Sequence, residues 1–320
     1  MSEYDSALDA QVEWTSFWQS DKGIALMRGL AEHSTHAREV AGELQPYKLA
    51  DYADDERTIV VSALVNGECF YWSRQMLDVV SIASESLPST WALAKEYVPA
   101  ISGFFYFERE LSLPEVPGLW GLGWTVVTQD PGTKVAAIHL PNREGRMPDF
   151  NSLALVTFIK NKTFRIPIPA RMRVDVGETL DAWNKDIRNY YVNELNADPS
   201  DVDHEFSILR LFAAMLSFLQ QRIMVSSRYY AERHTRKRIQ SIRESEPVIN
   251  VVKLRAIVHH THEGEGEPVD WSCRWIVRGH WRDQWYPSLR RNQPIWITPY
   301  IKGPEDKPLR NPERLFAVVR

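Results

Sequence analysis

Apolar residues in the first 45 positions fall at helical spacing. Ala10, Trp14, Phe17 and Trp18 form one group, and Ile24, Leu26, Met27 and Leu30 another. They predict a helical cap or helical hairpin. At residue 57 the pattern changes. A β-branched run over 58–65, the dipeptide Asn66-Gly67 and an aromatic run over 68–72 predict a β-hairpin, because Asn-Gly supplies the positive φ values of a tight turn. Residues 73–97 return to helical spacing through Met76, Leu77, Val80, Ile82 and Ala83, with Trp91, Leu93 and Ala94 following Leu87-Pro88. Four strand-like stretches come next, 103–108, 119–128, 134–139 and 152–160, separated by Pro and Gly. The middle of the chain therefore reads as a meander.

A second helical block spans 179–194 and, after a turn at 198–201, 202–240. Its first half carries a broad apolar stripe that includes Phe206, Leu209, Phe212, Met215, Leu216 and Leu219, the pattern of a core-facing helix. Its second half turns basic, with Arg228, Arg233, His234, Arg236, Lys237 and Arg238. Strand signals resume at 248–258, 274–282, 295–302 and 315–319, around a polar loop at 259–270. The expected fold class is α+β: a mixed helix and antiparallel-sheet portion over 1–245, ending in a long helix with a basic tail, then a small basic antiparallel β module over 246–320.

Composition narrows the class. The 320 residues are 44% hydrophobic and 25% charged, as in soluble globular proteins. No stretch approaches the roughly 20 apolar residues of a membrane-spanning helix. Cys69 and Cys273 cannot staple a chain of this length, which points to a reducing compartment. Met1 is followed by Ser2, Glu3, Tyr4 and Asp5 rather than by a basic and then apolar leader, so a cytoplasmic location is expected. The net charge of -4 conceals a division. Residues 1–221 hold 19 Lys and Arg against 31 Asp and Glu, whereas 222–320 hold 19 against 11. Five of the twelve tryptophans (271, 275, 281, 285 and 296) also fall in the basic end.

Strand alternation sorts that end into faces. Arg274, Ile276, Arg278, His280 and Arg282 share one face of 274–282, opposite Trp275, Val277, Gly279 and Trp281. Over 295–302, Ile295, Ile297 and Ile301 oppose Trp296, Thr298, Tyr300 and Lys302; in the earlier strand Lys253 and Arg255 alternate with apolar residues. If the apolar faces pair inward, one surface gathers Arg274, Arg278, His280, Arg282 and Lys302 with Trp296 and Tyr300, joined by Lys253 and Arg255. Cations neutralise phosphates and rings stack on unpaired bases, so the first expectation is nucleic-acid binding, to DNA or RNA. The basic helix tail would extend the same footprint. A plain solvated face is the competing reading, and Gly279 is a bulge signal that would re-aim His280 and Arg282.

Two other classes follow from the same residues. His280 as general acid or base, with Arg278, Arg282 or Lys302 stabilising charge and His260 or His262 as second proton-transfer group, would make a metal-independent nuclease or toxin. Alternatively the acidic and basic portions dock on each other, within one chain or in a homo-oligomer. His259, His260, His262, His280 and Cys273 match no closed zinc spacing, so no metal is expected, and the absence of a phosphate-binding glycine loop leaves no cofactor expected.

The segments Arg233-His-Thr-Arg-Lys-Arg238, Val251-Val-Lys-Leu-Arg255, Trp275-Ile-Val-Arg-Gly-His-Trp-Arg282, Gln284-Trp-Tyr-Pro-Ser288 and Trp296-Ile-Thr-Pro-Tyr-Ile-Lys-Gly-Pro304 resemble an uncharacterised family of actinobacterial and actinobacteriophage proteins. Ser102-Gly-Phe-Phe-Tyr-Phe-Glu108 is similar to a weaker upstream element in them. The resemblance implies a phage or actinobacterial origin and carries over no catalytic residue.

Overall fold

Strand β1 (Glu68–Trp72) is buried on both sides, and the sheet builds outward from it. Cys69 and Tyr71 point into one apolar cluster and Phe70 and Trp72 into the other, so the strand reads as a continuous apolar run. The computed structural model describes residues 4–34, 48–113, 118–128, 137–138, 147–160, 166–189, 192, 198–221, 224–242, 248–254, 272–287, 290–304 and 306–310. Helices α1 (Asp5–Gln19), α2 (Asp21–His33) and α3 (Leu49–Val61) precede β1, and α4 (Arg74–Glu85) follows it. Then come β2 (Ser102–Leu111), β3 (Leu119–Thr128), β4 (Ala137–Ile138), β5 (Ser152–Ile159), β6 (Ile168–Asp175), α5 (Leu180–Arg188) and α6 (Pro199–Leu219). The chain closes the sheet with β7 (Met224–Tyr230), α7 (Arg233–Gln240) and β8 (Val248–Leu254).

The sheet order is β6-β5-β3-β2-β1-β8-β7, with β4 beside β3. β2, β3 and β5 form the expected antiparallel run, extended by β6, which the sequence pattern does not predict, while β1 lies parallel to both β2 and β8. Helices α1, α2, α3 and α7 cover one face, and α4, α5 and α6 the other. Local chemistry sets the helix starts: Ser20, Ser73 and Thr179 accept from the backbone N–H groups of Gly23, Met76 and Ala182, each the N-cap arrangement. Among the described residues no helix is long and apolar enough to cross a membrane. The fold class is thus α+β with small antiparallel strands at the C-terminal end.

Four local expectations are corrected. The first limb of the hairpin at 58–72 is helical: α3 runs to Val61 and continues as a π-helical turn over Ser62–Asn66. Ile59, Val60, Ala63 and Leu64 are buried there, and Gln11 donates to the Leu64 carbonyl at 2.9 Å, so packing overrides β-propensity. Gly67 has φ -75°, not the left-handed turn value; its role is close approach, since a Cβ would stand 2.2 Å from the Ala63 carbonyl oxygen. Residues 202–240 are not one helix. The apolar stripe ends at Leu219, and the next segment pairs with β8 as the edge strand β7.

The third correction concerns 248–254, expected in the C-terminal module. It lies inside the large sheet, between β1 and β7, so the small strands begin after it rather than at 246. Fourth, each long C-terminal strand is broken. The first becomes β9 (Trp275–Val277) and β10 (His280–Tyr286), the second β11 (Arg291–Ile297) and β12 (Tyr300–Lys302). The strand expected at 315–319 and the loop at 259–270 lie outside the described residues.

Candidate nucleic-acid interface

Strands β10 and β11 pair antiparallel from His280↔Ile297 to Tyr286↔Arg291, and β9 and β12 pair from Val277↔Tyr300 to Trp275↔Lys302. The two ladders keep one register. They are a single ribbon interrupted at Gly279 and Pro299, where proline has no N–H to give to the ladder. At Gly279 a Cβ would lie 2.3 Å from Cζ2 of Trp296, so the backbone passes directly over that indole.

Two tryptophans fasten the ribbon. Trp281 and Trp296 are directly opposed, their rings 5.4 Å apart, and both meet Phe218 of α6. The Trp281 indole N–H donates to the Ala83 carbonyl at the end of α4 (2.8 Å), and the Trp296 backbone N–H donates to Oε1 of Gln221 (3.1 Å). Farther out, Arg291 pairs with Glu96 at 2.5 Å and lies over the Tyr97 ring. Between these anchors a cleft of about 350 Å³ separates the ribbon from residues 88–97. Burial raises the Tyr97 phenol above its ordinary pKa, with Arg291 acting against the rise.

This register redistributes the expected site. Trp296 is 3% exposed and faces the body, so its ring is not open for stacking. His280 and Arg282 stand on the opposite face beside Ile297 and Ile295, where the expectation had placed Trp296, Tyr300 and Lys302. Tyr300 and Lys302 share the other face of their ladder with Val277 and Trp275. Arg274 is half-buried, with Nε donating to the Lys307 carbonyl at 2.8 Å. Lys253, on β8, holds its ammonium 5.7 Å from the Tyr4 ring centroid, on the α1 side of the sheet. The ribbon packs on the other side, against α4 and α6. Arg255, His259, His260, His262 and Trp271 lie outside the described residues.

The basic tail also separates from the ribbon. Helix α7 buries Thr235 and Ile239, and Arg238 pairs with Asp9 of α1 at 2.5 Å. It lies on the α1 side, so helix and ribbon do not form one continuous basic footprint. What the ribbon offers is Arg278, His280, Arg282 and Lys302, all exposed, with Arg290 exposed at its turn. Arg282 donates to Oε1 of Gln284 at 2.9 Å, and Nδ1 of His280 donates to the Arg278 carbonyl at 3.0 Å. Among the described residues, none of these basic side chains forms an ion pair, and no three His, Cys, Asp or Glu side chains gather as a metal-ligand group. Sequence reasoning counted Trp285 among the clustered tryptophans but assigned neither it nor Gln284 to the site; Trp285 is 51% exposed on the ribbon.

Fold and ribbon together define an α+β body carrying a basic β-ribbon. No family model matches the chain, and no curated protein does. Among solved structures it is similar to the crystal structure of AcrVA2, at 11% identity and a TM-score of 0.38, over 94% of this chain and 95% of that one. A likeness of that degree carries no argument about fold or activity.

Proposed function

We propose that the chain binds nucleic acid through the exposed face and flanks of the β-ribbon, with His280 and Arg282 at its centre, Arg278 and Arg290 beside them and Lys302 at the far end on the other face. The observation that carries this reading is charge pairing. Many cations of the body meet carboxylates, as Lys160 meets Glu110 at 2.8 Å and Arg171 meets Glu56 at 2.7 Å, whereas others, such as Arg233 and Lys237 on α7, have no such pair among the described residues. Those of the ribbon, Arg291 apart, have no such partner among the described residues, and a row of unneutralised cations suits a polyanion whose counterions are released on binding.

Fluorescence anisotropy with labelled DNA and RNA tests it. Affinity should fall linearly with the logarithm of salt concentration, and the double variant Arg278→Glu/Arg282→Glu should weaken binding by at least about tenfold. Absence of binding to either nucleic acid at low ionic strength rejects the reading.

A further inference from the structure

Resting on that reading, we propose that the partner is a B-form DNA duplex, which the ribbon reads from the major groove with Arg282 and Gln284 facing base edges. A two-stranded antiparallel ribbon is one of the two elements that fit this groove. Here exposed His280 and Arg282 and half-buried Gln284 share the face away from Trp281 and Trp296, spanning roughly 13 Å along the strand at about 3.3 Å per residue. Arg282 donates to Oε1 of half-buried Gln284, whose Nε2 donates to the Trp285 carbonyl at 3.2 Å, so guanidinium and amide lie side by side and would exchange these bonds for a base edge. These groups match the paired acceptors of guanine and the acceptor and donor of adenine, respectively.

The neighbouring column supplies half-buried Ile295 and Ile297, apolar surface of the kind that contacts thymine methyl groups. Cations flank the readers at both ends, Arg278 at the interruption and Arg290 at the turn. A single strand would need flat rings for stacking. On this face the described ring is Tyr286, half-buried at the tip, because Trp281 and Trp296 turn into the body and Trp285 lies on the reverse face. Double-stranded RNA has a major groove too deep and narrow for side chains to read.

The test measures the full chain against a labelled mixed-sequence DNA duplex, its separated strands and the same sequence as double-stranded RNA, followed by selection from a random duplex pool. The duplex DNA is expected to bind at least about tenfold more tightly than the other probes, and the selected preference should relax in Gln284→Ala, which removes no charge. Equal or tighter binding to strands or to double-stranded RNA overturns the inference while leaving nucleic-acid binding intact. So does a selected preference unchanged in Gln284→Ala, or no selected preference at all. No binding to any probe overturns the reading on which the inference rests.

Discussion

Body and ribbon use arginine and tryptophan in different proportions of burial and pairing. In the body, Trp14, Trp18, Trp72 and Trp124 are almost fully buried, and Arg171 spans from β6 to grip both carboxylate oxygens of Glu56 on α3. In the ribbon, Trp296 is buried and Trp281 half-buried against the same core, but the charges differ: apart from Arg291 with Glu96 and half-buried Arg274, the cations Arg278, Arg282, Arg290 and Lys302 face water. Trp281 and Trp296 therefore report how the ribbon is fastened, and Arg278, Arg282 and Arg290 report what it presents. A dense aromatic and basic segment is two signals superimposed on alternating positions.

The strongest way to break this contrast is to attack the fastening. Trp296→Ala removes a buried indole from the joint with Phe218 and Trp281 and should cost about 3–5 kcal/mol. Because Trp296 belongs to the same apolar cluster as α4 and α6, urea unfolding should remain one transition with a lowered midpoint. An unchanged main transition, with the loss confined to a separate early step, would mean that the ribbon is a module of its own. A smaller effect compares charges. Glu56→Ala strands the largely buried Arg171 guanidinium and should cost about 2 kcal/mol, whereas exposed Arg282→Ala should stay within about 0.5 kcal/mol. Similar losses from both would erase the distinction between paired and presented cations.

How far the sequence revealed this arrangement depends on the range of the interactions. The strands β2, β3 and β5 were legible because each is an apolar run near Pro or Gly, whereas β6, with Arg171 and Arg173 alternating with Met172 and Val174 and a proline at 169, was not. The π-helical turn at Ser62–Asn66 was not, since Val60, Val61 and Val65 favour strands locally and only burial against the sheet and the bond from Gln11 make the helix preferable. Nor could alternation reveal that β8 inserts beside β1, a parallel pairing between residues far apart in the chain.

In the ribbon, the division of each strand into two faces was correct within β10 and within β11. Pairing the faces required the register, and a one-residue slip exchanges every side chain between faces. The observed register opposes Trp281 to Trp296, which sends Ile295 and Ile297 to the side of Arg282 and His280. Assuming that isoleucines must face inward therefore reversed the second strand. The larger indoles take the interior instead.

The contrast also has a pH axis, because the ribbon's charges sit in water while the body holds some carboxyls partly desolvated. Glu178, at the start of α5, is half-buried near Asp175 and Asp186; burial first, then these two carboxylates, push its pKa up to about 7, with Arg173 opposing. An acid whose folded pKa lies above its unfolded value binds more protons in the native state, so its contribution favours folding below about pH 4.5 and declines as pH rises towards 7. Glu178→Gln keeps the shape and removes the ionisation. Its Tm should exceed that of the parent at pH 8 and converge with it at pH 4, provided the amide finds the contacts that the protonated acid makes. A Tm difference that does not change between these pH values would assign the effect to packing, and the titrating carboxyl would drop out of the body's side of the comparison.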